Sequence, residues 1–176
     1  MMEYITVTNA EQGKVDKYCK NIPNKLLELW QTKGFGSFMD GYIKTINPEA
    51  YVDLLKESYF RADSAIPIMV TAFGDVITWE ENKFVGIVKY KYGSSEIMIS
   101  NFDLFLILLN DDSFVSKFFQ LDIYKMAVET FGELAYDECF GFVPFLALGG
   151  KETVDQIKKV KIREHIALIT ELAGGI

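Results

Sequence analysis

One histidine, two cysteines and four prolines in 176 residues leave little of the usual chemical equipment. A single histidine, His165, removes poly-histidine metal sites and leaves any Ser-His-Asp or Cys-His arrangement dependent on one residue. It falls inside an apolar-periodic C-terminal stretch, one position before Ile166, where a partly exposed helical histidine is the ordinary reading. Cys19 and Cys139 stand far apart without CxxC spacing, which takes away zinc and dithiol redox chemistry. Met1 to Lys20 has no basic stretch leading into an apolar one, so the two are expected to be reduced thiols of a cytoplasmic protein. The longest apolar run, Phe102 to Leu109, is interrupted by Asp103 and falls far short of the roughly 20 residues that cross a bilayer. No membrane contact is expected. Gly34-Phe35-Gly36 follows a helical pattern instead of opening one, and Gly149-Gly150-Lys151 lacks the spacing of a phosphate loop. No nucleotide, metal or other cofactor is expected.

What the chain does have is apolar and acidic. Hydrophobic residues make up 49% and aromatic ones 14%, enough for a sizeable core built from rings as much as from aliphatic side chains. The net charge of −7 is unevenly spread, because residues 61–150 carry 13 acids against six bases while the flanking stretches nearly balance. Such a surface repels phosphate backbones, which disfavours direct nucleic-acid binding, and steers a basic protein partner toward encounter. Solubility alone would also account for the acidity.

Element signals alternate along the chain. Pro23 opens an amphipathic helix with Leu26, Leu27 and Trp30 on one stripe, and Phe35 to Ile46 reads as a turn feeding a strand-like segment. Asn47-Pro48-Glu49 is a helix start, with Tyr51, Leu54 and Leu55 on the face behind it. Ile66 to Ile99 reads as an antiparallel meander punctuated at Gly74-Asp75, Glu81-Asn82 and Gly93. Beyond it, Phe102 to Leu109, Phe114 to Phe119 and Leu121 to Phe131 are helical, Phe140 to Leu148 is a buried strand or extended loop, and a last helix runs from about Val160 to Leu172. The predicted fold is therefore α+β, an antiparallel sheet of about four to six strands packed with several amphipathic helices, the C-terminal part mainly helical. A division into residues 1–99 and 100–176, closely packed, follows from the change from strands to helices.

Catalytic carboxylates are the remaining chemical option, and Asp75, Asp111, Asp112, Asp137 and Glu138 are the candidates. Asp75 reads more simply as a turn residue accepting backbone N–H groups, and Asp111-Asp112 as a helix cap. Asp137-Glu138 could cap, face solvent or meet a basic partner. Trp30 is expected in the core; Trp79, at a hairpin end beside Glu80 and Glu81, is the ring expected to be partly exposed as an interface anchor.

Several passages together resemble a known family: Ile22-Pro23 through Trp30 with Gly34-Phe35-Gly36 and Asp40-Gly41-Tyr42; Asn47-Pro48; Thr71-Ala72-Phe73-Gly74-Asp75 with Trp79; Leu134 through Pro144; and Leu146-Ala147-Leu148-Gly149-Gly150. Their order and spacing are similar to bacterial GAD-like proteins whose C-terminal part is the domain of type VI secretion immunity proteins, over nearly the whole chain from about residue 18. The resemblance implies a non-enzymatic, cytoplasmic antagonist that binds a cognate toxin, often a nuclease, and it supplies no catalytic residues. On that basis Asp75, Trp79, Asp137, Glu138 and Phe140 are expected to belong to or border the partner-binding face. Two other readings share the composition: an interaction or regulatory module without a toxin, and a hydrolase using Asp75 with Asp137-Glu138, which requires those acids to converge in a cleft.

Overall fold

The computed structural model describes residues 3–9 and 17–176. Nine strands and six helices are formed by these residues, with five short 3-10 turns between them. The strands are β1 (Ile5–Thr8), β2 (Phe35–Phe38), β3 (Ile43–Thr45), β4 (Ala65–Thr71), β5 (Val76–Glu80), β6 (Phe84–Lys89), β7 (Ser94–Ile99), β8 (Glu138–Phe142) and β9 (Ile157–Lys161). The helices are α1 (Asn24–Lys33), α2 (Val52–Ser58), α3 (Phe102–Leu108), α4 (Asp112–Phe118), α5 (Leu121–Phe131) and α6 (Ile162–Ala173). Strands β1 to β7 form one antiparallel sheet in sequence order, and β8 pairs with β9 in a separate antiparallel hairpin. The fold is α+β as expected, with seven strands in the main sheet where about four to six were read. The difference arises at the N-terminal edge and within the segment read as one strand-like unit, which splits into β2 and β3 around Met39 and Asp40 at positive φ.

Helices cover the sheet on both faces, which explains why β5 is buried at every position. Ile77, Trp79, Val85 and Ile87 face a large ring-rich cluster with Leu26 and Trp30 of α1, Phe102 and Phe105 of α3, Val115 and Phe118 of α4, and Tyr124 of α5. Val76 and Val88 face the opposite way, against Leu54 and Leu55 of α2 and Ile162, Ile166 and Ile169 of α6. Both clusters draw on residues from before and after position 99, so the strand-rich and helix-rich parts share one interior. Period-2 alternation is preserved along β5 and β6, but with both faces covered it no longer separates buried from exposed.

Local chemistry sets the element ends where the sequence placed them. The Asn101 side chain accepts a hydrogen bond from Leu104 N at 2.9 Å and caps α3; Asp111 does the same for α4 through Phe114 N, also at 2.9 Å. Glu81 and Asn82 both take positive φ in the three-residue turn joining β5 to β6, as a tight hairpin requires. Asn47-Pro48 does start a helical turn, but a 3-10 one over Pro48–Ala50, and α2 begins only at Val52. The last helix begins at Ile162, because Ile157–Lys161 is drawn into a strand against β8. That pairing is long-range and leaves no local signature.

Candidate functional site

The residues singled out from the sequence separate into a buried group and a surface group. Asp75, between β4 and β5, is 1% exposed and does not behave as a simple turn residue. Its Oδ2 lies 2.5 Å from Lys91 Nζ and accepts the Thr71 hydroxyl at 3.3 Å, so the carboxylate takes a cation and a hydroxyl in place of the expected backbone N–H groups. Lys91 comes from the 3-10 turn after β6 and lies over the rings of Phe73 and Tyr92, at 5.6 and 4.9 Å from their centroids. The pair ties two successive hairpins together inside the core.

Trp79 is also withdrawn, which corrects the expectation of a partly exposed ring. It meets Phe102 edge-on at 6.3 Å, and its indole N–H donates to Asn82 Oδ1 at 3.1 Å. Phe140, on β8, has no exposed surface and contacts the rings of Phe73, Tyr124 and Phe131. Its backbone N–H donates to Ala72 O at 2.7 Å, which docks the hairpin onto the end of β4. These three side chains can influence a partner only by shaping the surface above them. Trp30 is a core residue as read.

Asp137 and Glu138 lie at the surface where the chain enters β8. Lys161, opposite them on β9, is 2.8 Å from Asp137 Oδ2 and 3.5 Å from Glu138 Oε1. Its hydrogen bond holds the Asp137 carboxyl below the usual range, and the Ala135 N–H at 3.0 Å does the same for Glu138. Asp137 borders a shallow cleft of about 300 Å³ that Tyr51, Tyr136 and Arg163 also line. Asp75, sealed against Lys91, does not share it. The hydrolase reading needs these acids to converge with raised pKa values, and the geometry gives separate acids, with the exposed two lowered.

Two buried polar groups, Lys44 and Glu80, escaped the sequence reading, and a third, His165, is more buried than it was read. Lys44 on β3 sends its ammonium beneath the β8 entry, donating to Ala135 O at 2.8 Å and Glu138 O at 2.5 Å; burial brings its pKa down to about 8. Glu80 is wholly buried, accepting the Thr78 hydroxyl at 2.7 Å and the Tyr59 hydroxyl at 3.0 Å, with Arg61 Nε 3.3 Å away. His165, expected to be partly exposed, is 5% exposed and packs against Phe145, ring centroids 5.3 Å apart. Burial first, and then the nearby Lys91 cation, lower its pKa to about 4. The strand β8 passes so close that a Cβ on Gly141 would sit 2.5 Å from His165 Cε1. An Ile-Lys-Thr stretch gave no sign that a lysine would be inside, whereas the apolar periodicity around His165 did point to a buried face.

A family model described as the GAD-like domain matches residues 1–90, just over half of the chain. The chain belongs to the GAD-like family. Downstream of that GAD-like part, residues 99–173 match a model described as T6SS immunity protein Tdi1, C-terminal. The two matches carry the combination that the sequence motifs resembled, and the second of them supports an immunity role. The crystal structure of Atu4351 from Agrobacterium tumefaciens has the same fold, with a TM-score of 0.77 over 96% of this chain and 86% of that one at 18% identity. No curated protein matches the chain significantly. In this GAD-like protein no helix among the described residues is long and apolar enough to cross a membrane.

Proposed function

We propose that this protein is an immunity protein that neutralises a cognate toxin by direct binding in the cytoplasm, without chemistry of its own. The observation that carries this reading is the match of residues 99–173 to the C-terminal domain of a type VI immunity protein, joined to a GAD-like part. The protein's own physics supports it. Its net charge of −7 is concentrated in residues 61–150, which suits a target with a basic face, such as an enzyme that itself binds nucleic acid. The interior is rigidly cross-linked by buried polar contacts, as a body that covers another protein's working surface should be. Asp75 and His165 are enclosed within it, while Asp137 and Glu138 are engaged by Lys161. At Asp137 and Glu138 a partner's cation would have to compete with Lys161, so that corner contributes at most the edge of a contact.

Coexpression of the adjacent reading frame tests the reading. Cells carrying that frame should survive when this chain is present and die without it, and the two proteins should co-purify. Turnover of a small substrate by the purified protein, lost on altering one carboxylate, would refute it.

A further inference from the structure

A groove of about 630 Å³ runs along the junction of α4 and α5. Its lining is apolar at Val115, Ile123 and the 48%-exposed Met126 and acidic at Asp112, Asp122 and Glu152. We propose that this groove is where the toxin docks, taking a lysine- or arginine-bearing segment whose neighbouring apolar side chain meets the apolar lining. The proposal rests on the immunity reading and names the face that performs it.

The groove combines acids with an apolar lining. Ion pairs hold Asp137 and Glu138 to Lys161, Glu81 to Arg61, Glu96 to Lys89 and Asp103 to Lys25; among the described residues unpaired acids occur elsewhere too, Asp53 and Glu57 on α2 among them, but in this groove they stand beside apolar side chains. The carboxylates of Asp112 and Asp122 have no ion-pair or hydrogen-bond partner among the described residues. Glu152 is held in place by the Tyr92 hydroxyl and the Gln120 side-chain amide, so its charge is fixed in the groove lining. Lys125 is the single cation lining the groove among the described residues, which leaves it negative. An uncharged apolar segment entering here would strip water from unpaired carboxylates with no return, and a nucleic acid would meet repulsion. A cation beside an apolar anchor satisfies the acidic and the apolar lining together. Asp112 and Asp122 also sit in the first turns of α4 and α5, where an acid complements the helix dipole, so a test must separate that local role from docking.

The probe is the product of the adjacent reading frame, and the measurement is its affinity for the full chain at low and high salt, with circular dichroism to establish that each variant is folded. Asp112→Asn/Asp122→Asn should weaken binding about tenfold at low salt and flatten its salt dependence. Lys125→Gln should tighten it several-fold, a gain that a merely structural role would not produce. Asp53→Asn/Glu57→Asn on α2, against the other face of the sheet, should leave affinity unchanged. If the wild-type chain neither protects cells nor binds, the immunity reading fails and the groove with it. If it protects and binds while the groove variants, folded, bind as wild type does, the groove assignment alone is overturned.

Discussion

Acid should destabilise this protein through one residue in particular. His165 is 5% exposed, and its pKa falls from an ordinary 6.5 to about 4 in the folded chain, first through burial and then through Lys91. A depressed folded value means that the unfolded chain binds the proton more readily, so the stability contributed is intact above about pH 6.5 and is lost as pH falls toward 4. At about 1.36 kcal/mol per pH unit the full loss is about 3 kcal/mol, a large share of a typical folding free energy. The sequence pI near 4.8 makes the lower half of that window prone to precipitation, so the useful comparison runs from about pH 7.5 to 5.5. Over that range linkage predicts a loss of about 1.3 kcal/mol, or about 0.6 M in urea midpoint if the slope is about 2 kcal/mol/M. The assay is urea unfolding followed by the fluorescence of the buried Trp30 and Trp79, with His165→Gln as the reference because it cannot titrate. Its curves should lack this pH term whatever constant amount the substitution itself costs. If wild type and His165→Gln lose stability in parallel between these pH values, the imidazole is not held neutral by burial and the reasoning fails.

Other interior contacts make similarly direct predictions. Lys91→Met leaves the Asp75 carboxylate buried without its cation and should cost about 3–5 kcal/mol in urea unfolding, with Asp75→Asn/Lys91→Met recovering part of the loss. Lys44→Met takes the ammonium from Glu138 O and from Ala135 O, which keeps the Glu138 N–H at 3.0 Å, and should cost about 1–3 kcal/mol, with faster amide exchange in Glu138–Phe142. Gly141→Ala should cost about 1–3 kcal/mol because the new methyl meets His165 at 2.5 Å and Val160 at 2.9 Å; adding His165→Ala should relieve part of it, a coupling that thermal melting can measure.

Much of the fold was legible because it depends on near neighbours in the chain. Asn101 and Asp111 cap their helices with side chains that reach a backbone N–H three residues on, and such an interaction is complete within a single turn. The Glu81-Asn82 hairpin is set by two residues between apolar strands. The apolar spacing of Ile162, Ile166 and Ile169 identifies the buried face of the final helix before any partner is known. The motifs that resembled the GAD-like family likewise lie in local runs, and the family matches bear that resemblance out.

Tertiary structure decided what distance along the chain conceals. Residues 35–46 became two strands and Ile157–Lys161 became β9, each through pairings that single-strand patterns do not specify. Asp75 found its cation 16 residues away, and Lys44 found two carbonyls more than 90 residues away, so a turn acid and an ordinary strand lysine became interior struts. Trp79 moved inward because helices cover both faces of the sheet, which turns positions that alternation would leave at a surface into core, and His165 on α6 was buried by β8 and Phe145 packing over it. The composition by itself determined an acidic, histidine-poor, ring-rich globule. Which acids remain without a partner was settled only by folding, because a carboxylate's pairing depends on what the distant chain brings within a few ångströms of it.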